Sequence, residues 1–499
     1  MKRITASFLP AIALDSGSKM PKYRQLYAWF RRAVLDGRLR PGQRVPSTRN
    51  LAAELNVSRI LVSSAYEQLH AEGYFETFVG AGTCVARSIP DDALRPATAR
   101  MQDTSAQIPK NRVSRRISCR ASSTRVEPQT WSNDLVAFRV SLPALEQFPV
   151  GAWSRLVNRH ARKPTRQVMA YGDAKGYMPL REAIAEYLGT VRAVRCEPSQ
   201  ILVTTGAQQG IHLSGQVLLD AHERVWIEEP GYPGARQALM TAGAQLIPVP
   251  VDHEGLNVVE GIRVARNAHA IYITPSHQYP LGVTMTASRR LRLLNWAARS
   301  GAWIIEDDYD SEFRFADRPI PSLQGLDTSA RVIYVGTFSK VMFPALRLGY
   351  IVVPQDLVEA FSTARDANDQ FSSTLYQAVM TDFMREGHFA RHIRRMRVLY
   401  RQRRIALVEA IHKYMSEELE VIGAEAGMHL VAMLPPGVSD VAISRSAAQI
   451  GISAMPLSSC YAKSPARGGL ILGYGGTDAR QIQDGMRKLK TAVKMHTKN

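Results

Sequence analysis

The stretch Val335-Gly336-Thr337-Phe338-Ser339-Lys340-Val341-Met342-Phe343-Pro344-Ala345-Leu346-Arg347-Leu348-Gly349 sets one lysine behind two hydroxyl residues and ahead of an arginine. A lysine that forms a Schiff base needs a desolvated or cationic neighbourhood to lower its pKa, and hydroxyls with an arginine beside it suit a phosphate. Upstream, Ile304-Ile305-Glu306-Asp307-Asp308-Tyr309 reads as an apolar strand opening into acids and a tyrosine, and a carboxylate is what a pyridinium nitrogen requires. Lysine and acid would then face one ring from different strands, a combination that points to pyridoxal phosphate. Singly, each motif has a plainer explanation, since a lysine near Ser and Thr is usually a solvated loop residue. Their order along the chain is what makes them specific.

Outward from that stretch, strand-like apolar runs alternate with helical ones: Gln200–Thr205, Arg224–Glu228, Ala270–Thr274, Ala302–Glu306 and Val332–Val335. Alternation of this kind predicts a mainly parallel sheet wrapped by helices, an α/β domain with ligands at the carboxyl ends of the strands. Thr205-Gly206-Ala207-Gln208-Gln209 follows the first run and opens a helix, whose free N–H groups and dipole suit a phosphate. Glu229-Pro230-Gly231-Tyr232 places an aromatic ring after the second run, where it is available to stack on a flat ligand.

The whole chain sets further bounds. At 499 residues it is long enough for two or more domains. Its net charge of +19 favours anionic partners such as nucleic acid. The four cysteines, Cys84, Cys119, Cys196 and Cys460, stand far apart with no CxxC pair, as expected of reduced thiols in a cytosol, and no metal site is predicted. The basic, partly apolar start is interrupted by Pro10 and Asp15, so it reads as no signal peptide, and no apolar run nears the ~20 residues of a membrane span. A cytoplasmic protein without a membrane partner is expected.

Over residues 16–87 the pattern changes. Leu26, Phe30, Ala33 and Val34 recur at helical spacing up to Asp36-Gly37, which predicts a first helix. Ser47 is placed to cap a second helix carrying Leu51, Ala52 and Leu55, and Ser58 a third whose inward set is read as Ile60, Val62, Ala65, Tyr66 and Leu69. Two short helices across a tight turn, then alternating residues from Gly73 through Gly82 to Val85, predict a helix-turn-helix with a two-stranded wing. Ser58, Arg59 and Ser63 would face outward to read bases in double-stranded DNA, with Arg44, Ser47 and Arg49 flanking that face. The runs Arg44–Ala52 and Val57–Leu69, followed by Glu72-Gly73-Tyr74, resemble the winged helix-turn-helix of GntR-type bacterial repressors. Residues 88–130, rich in Ala, Ser, Thr, Pro and Arg, read as a flexible basic linker.

In the order phosphate turn, aromatic, Thr274-Pro275-Ser276-His277-Gln278-Tyr279-Pro280-Leu281-Gly282, Asp307-x-Tyr309 and Thr337-x-Ser339-Lys340 with Arg347, residues 131–499 resemble the fold-type-I aminotransferases. Joined to the GntR-like head, the chain resembles the MocR/GabR family of regulators over nearly its whole length. The resemblance implies that Lys340 carries the pyridoxal phosphate aldehyde as a Schiff base, that Asp307 pairs with the pyridine nitrogen and that Tyr309 donates to the ring hydroxyl. It implies a phosphate site from Gly206, Ala207, Gln208, Thr337, Ser339 and Arg347, with Tyr232 on the ring face. Tyr171 matches the tyrosine that reaches the phosphate from the neighbouring subunit, which implies a homodimer.

Two positions depart from the family pattern. Tyr279-Pro280-Leu281-Gly282 stands where aminotransferases commonly have Asn-Pro-x-Gly, which leaves His277 or Gln278 as the other partner of the ring hydroxyl. Ile471, in Gly469-Leu470-Ile471-Leu472-Gly473-Tyr474, stands where such enzymes place the arginine that forks onto a substrate carboxylate, and isoleucine makes no bidentate clamp. Arg467 is the nearest substitute in sequence; otherwise the effector is pyridoxal phosphate itself or an amine lacking an α-carboxylate. Three functions compete: a regulator that senses pyridoxal phosphate, an amine or an amino acid; an aminotransferase with a DNA-binding appendage; and a cofactor that merely holds a dimer together.

Overall fold

The structure is a computed structural model describing residues 12–15, 17–18, 20–78, 82–87, 135–315, 320–415, 419–423 and 425–497. The linker expected at 88–130, most of the start and the tip of the wing turn lie outside the described residues. The chain divides into two units, residues 1–115 and 116–499.

In the first unit, α1 (Lys22–Leu35) buries Leu26, Phe30, Ala33 and Val34, and Gly37 follows its end at φ +72°, a left-handed turn that suits glycine. The Ser47 hydroxyl accepts the Asn50 N–H to start α2 (Thr48–Glu54), and the Ser58 hydroxyl accepts the Leu61 N–H to start α3 (Arg59–Ala71). Caps of this kind are worth about 1 kcal/mol each. Strands β1 (Phe75–Phe78) and β2 (Gly82–Val85) pair antiparallel as the wing. Phe30, Tyr66 and Phe75 meet edge to face at 5.1–5.5 Å and join α1, α3 and the wing in one core. One expectation fails here: Ile60 is 79% exposed, while Val62, Ala65, Tyr66 and Leu69 are buried. At about 100° per residue, position 60 lies some 200° from position 62, so the stripe that packs inward turns Ile60 outward.

The first two long helices of the second unit are α4 (Val150–Arg162) and α5 (Met178–Arg192). An eight-stranded sheet follows, built from β3 (Ile201–Thr204), β4 (Arg224–Glu229), β5 (Gln245–Asp252), β6 (Gly255–Leu256), β7 (Ala270–Ile273), β8 (Trp303–Asp308), β9 (Val332–Thr337) and β10 (Gly349–Val352), in the order β3-β10-β9-β8-β7-β4-β5-β6. The central strands are parallel; β10 runs antiparallel to both neighbours, and β6 to β5. Every residue of β3, β7 and β9 is buried, as expected where helices cover both faces. One covering helix is α6 (Ala207–Leu218); a Cβ on its Gly210 would stand 2.6 Å from Ile351 Cγ2, so only glycine allows this approach to the sheet. Another, α7 (Pro233–Ala242), follows β4, and α8 (Ala287–Ser300) stacks Trp296 on Trp226 of β4 at 4.0 Å.

Strand β10 and its pairing were not foreseen, and they matter for the site. In the antiparallel β9/β10 pair Thr337 stands opposite Gly349, so residues 338–348 form a closed loop that must present Ser339, Lys340 and Arg347 together at the strand ends. Beyond the sheet, α9 (Val358–Asp369), α10 (Thr374–Arg385) and α11 (His388–Met415) lead to a smaller antiparallel sheet. Its strands are β11 (Glu420–Ile422), β12 (His429–Met433), β13 (Met455–Pro456) and β14 (Gly469–Gly473), in the order β11-β12-β14-β13, with α12 (Asp440–Gln449) and α13 (Ala479–Thr497) completing the layer. No helix among the described residues is long and apolar enough to cross a membrane.

Candidate functional site

Lys340 Nζ lies 3.4 Å from the Ser141 carbonyl in a cavity also lined by Gly206, Ala207, Gln208, Tyr232, Tyr272, Thr274, Tyr279, Asp307, Tyr309, Thr337, Ser339, Pro344 and Arg347. Desolvation by burial pulls the Lys340 ammonium down to about 8, with Arg139 and Arg347 adding to the effect and Asp310 and Asp307 opposing it. A neutral amine is therefore accessible near physiological pH, the condition for attack on an aldehyde.

Period-two alternation along β8 sorts its acids between the two faces of the sheet. Glu306 turns away and accepts the backbone N–H groups of Leu323 and Gln324. Asp308 accepts from Arg192 Nε at 2.7 Å and from the Tyr334 hydroxyl at 2.6 Å. Asp307 alone of the three lines the cavity. Its Oδ2 accepts the Tyr272 hydroxyl at 2.7 Å, while its buried Oδ1 has no partner. Burial raises this carboxyl to about 7 against the Tyr272 hydrogen bond, and a cationic N–H delivered to Oδ1 would return it to the ionised form.

At the cavity's other end α6 begins. Gly206 adopts φ +131°, and a Cβ there would stand 3.5 Å from Arg347 Nη1, so the guanidinium spans this turn. Arg347 makes no salt bridge among the described residues. First-turn amides, an arginine and the Ser339 and Thr337 hydroxyls form a cradle of the composition a phosphate requires. Gln208 is held by its Nε2–H, which donates to the Gly234 carbonyl at 2.7 Å and links α6 to α7. The unpartnered Asp307 oxygen, the desolvated lysine and this cradle fit a phosphorylated pyridine aldehyde.

The expected residues do not all stand on the wall. His277 is buried behind Tyr309, with Nδ1 3.0 Å from the tyrosine hydroxyl, and Gln278 Nε2 is taken by the Pro230 and Tyr279 carbonyls. Tyr171 is 87% exposed, its ring against Phe371, and is absent from this chain's own cavity. Ile471 is fully buried among Tyr279, Val431, Leu457 and Cys460. Arg467 is no substitute for the missing clamp, because Nε donates to the Leu434 carbonyl and Nη1 to Glu420. Sequence reading missed Tyr272, which stood unremarked within an apolar strand, and Ser141, which no local pattern marks. Beside the cavity and sharing Lys340, Ser141 and Pro344 with it, an apolar cleft of about 650 Å³ is walled by Leu142, Phe148, Trp153 and Phe343, with Arg139 at its edge.

In the head, Arg44, Ser47, Arg49, Ser58 and Arg59 are exposed and Ser63 is half-buried. The Ser47 and Ser58 hydroxyl oxygens serve as helix caps, so what they add to a DNA surface is chiefly the orientation of their helices. A Cβ on Gly82 would stand 3.2 Å from Arg44 Nη2, which places that guanidinium along the wing.

Comparison with known proteins agrees with both halves. Residues 22–85 match the family described as bacterial regulatory proteins, gntR family, and residues 143–479 match aminotransferase class I and II. The chain is 40% identical to a probable rhizopine catabolism regulatory protein, MocR, of Rhizobium meliloti, over 96% of this chain and 95% of that one. It is 31% identical to the HTH-type pyridoxine biosynthesis transcriptional regulator PdxR of Corynebacterium glutamicum, over 97% and 98%. Among solved structures, a Pyrococcus horikoshii kynurenine aminotransferase in complex with PMP is similar at a TM-score of 0.72 and 28% identity, covering 78% of this chain and 99% of that one. The chain belongs to the MocR/GabR-type transcriptional regulators, in which a GntR-family winged head is joined to a domain of the pyridoxal-phosphate-dependent aminotransferase class I and II fold.

Proposed function

We propose that this regulator holds pyridoxal phosphate on Lys340 and that the state of that site governs how two heads are presented to operator DNA. The observation that carries the reading is Asp307 Oδ1, a buried carboxylate oxygen without a partner, in one cavity with a lysine drawn down to about 8. When bound, the cofactor supplies an aldehyde that joins either Lys340 or a competing primary amine. Asp307 orients the ring through its nitrogen, Tyr232 covers one face, and the α6 amides with Ser339, Thr337 and Arg347 hold the phosphate. Thr274 is fixed on the wall by Glu228, which accepts its hydroxyl at 2.6 Å and whose carboxyl burial raises to about 8.

Buried Ile471 supports an effector recognised without an α-carboxylate clamp, either pyridoxal phosphate itself or an amine. Exposed Tyr171 supports a homodimer in which this ring reaches the partner's cavity. An effector shifts the two arrangements of the heads only through unequal affinity for them, and exchange of Lys340 for an external amine offers such an inequality. Arg59, Ser63 and the exposed Ile60 form the base-facing side of α3, with Arg44 and Arg49 on phosphates.

The test measures operator affinity of wild type and Lys340→Ala with and without pyridoxal phosphate and candidate amines. Wild type responds, and the variant binds DNA without responding; an equal response in both sinks the reading. Steady transamination at rates of roughly 1–1000 per second would instead favour an enzyme with a DNA-binding appendage.

A further inference from the structure

Behind the cavity wall lies a chain of three side chains. His277 Nδ1 is 3.0 Å from the Tyr309 hydroxyl and 3.0 and 3.2 Å from the two oxygens of Asp310. The His277 and Asp310 side chains are each 1% exposed, and His277 Nε2 is buried without a partner. A carboxylate offers only acceptors, so the proton that makes the His277–Asp310 bond sits on Nδ1. A nitrogen carrying that proton has no lone pair to receive the Tyr309 hydroxyl. The neutral ring then leaves Nε2 as a bare acceptor, a smaller penalty than a buried N–H without a partner.

We propose that Asp310 and His277 are positioning residues that deny Tyr309 an acceptor behind it and so direct its proton into the cavity, onto the ring oxygen of the bound cofactor. This rests on the reading that the cavity holds pyridoxal phosphate. Tyr309 keeps its proton to give, because burial, then Asp310, Tyr279, Asp307 and Glu228, push its hydroxyl well above the ordinary value. The consequence is local: a donor on the ring oxygen favours that oxygen's anionic form and lets the neighbouring imine proton leave at lower pH.

The same residues, with His429, have the composition of a metal site, their ligand atoms lying within 4.8 Å of one another. The packing argues for hydrogen bonds instead. His277 Nδ1 is engaged by two partners, His429 Nε2 lies 3.1 Å from the Pro280 carbonyl, and a Cβ on Gly427 would fall 2.1 Å from His277 Cε1 and 2.6 Å from Asp310 Oδ2.

The experiment uses the full chain reconstituted with pyridoxal phosphate and reads the pH midpoint of its near-visible absorbance band in wild type, Asp310→Asn, Tyr309→Phe and the double variant. Loss of the Asp310 charge by itself lowers the midpoint, and equally with or without the Tyr309 hydroxyl, so the hydrogen bond is read from the cycle: Asp310→Asn should sit higher relative to wild type, on the order of half a unit to one unit, than the double variant sits relative to Tyr309→Phe. Shifts that simply add overturn the proposal. Imidazole nitrogen chemical shifts of the cofactor-free chain, with the His277 signals assigned by their loss in His277→Gln, give a second measurement. Protonation at Nδ1 is expected, and protonation at Nε2 alone overturns the proposal even if Asp310→Asn does not fold. Absence of any band in wild type would fail the cofactor reading instead, while the chemical shifts still decide the tautomer.

Discussion

The cavity around Lys340 and the apolar cluster packed beside it are built to different standards. At the lysine end, two consecutive antiparallel strands close a loop over the start of a helix, and Asp307, Lys340 and Arg347 line the cavity, with Asp307 Oδ1 lacking a donor and Arg347 in no salt bridge among the described residues. In the cluster, Ile471, which stands where the family resemblance leads one to expect a carboxylate-binding arginine, is sealed among apolar side chains, and Arg467 is tied to Glu420. A fold that retains the parts for holding a cofactor and lacks the clamp for a substrate is suited to sensing occupancy.

The largest effect that would break this comparison is at the lysine. Lys340→Ala should lose all covalent attachment of pyridoxal phosphate, read as the absence of a borohydride-trapped mass increment, whereas Ile471→Val should keep it in full. Next, Asp307→Ala removes one partner of a buried, charged hydrogen bond, for which a loss of about 2–5 kcal/mol in cofactor affinity is expected; an equilibrium titration checks it. In the head, Arg59→Ala should cost roughly 1–3 kcal/mol of operator affinity if it reads a base, with cofactor capture unchanged. That separation of effects, measured by anisotropy and absorbance on the same sample, sharpens the assignment of each region.

The pH dependence follows from the direction of the Lys340 shift. With its value lowered to about 8, the neutral amine accumulates as pH rises through 8, so the rate of cofactor capture should climb towards that value and level above it. A profile still rising towards an ordinary lysine value would mean that the pocket does not desolvate the amine. The smallest effect is Ile471→Val, a stability loss of about 0.5–1.5 kcal/mol for one methyl removed from a packed cluster, seen by denaturant unfolding.

The motifs that were legible in the sequence are local ones. Ser47 and Ser58 announce helix starts by being capping residues ahead of apolar periodicity, and Gly206, Asp307 and, a few residues further on, Lys340 follow apolar runs long enough to be read as strands. Relations across the sheet were not legible. Nothing in the Asp307-Asp308 pair says which acid lines the cavity, since alternation fixes only that they differ; Tyr272 and Arg192, some 35 and 116 positions upstream, bond one each. Ile60 was assigned inward because it is apolar, whereas the phase set by Val62, Ala65 and Leu69 turns it to solvent.

The sequence by itself determined the inventory and the order: a capped helical head, a run of strands, and a lysine between hydroxyls and an arginine, because capping, periodicity and strand-end chemistry act over a few neighbouring residues. Only the tertiary structure decided which of those groups meet. The antiparallel return of β10, the partner left off Asp307 Oδ1 and the pairing of His277 with Asp310 behind Tyr309 all depend on residues tens to hundreds of positions apart, brought together by burial of the sheet on both faces.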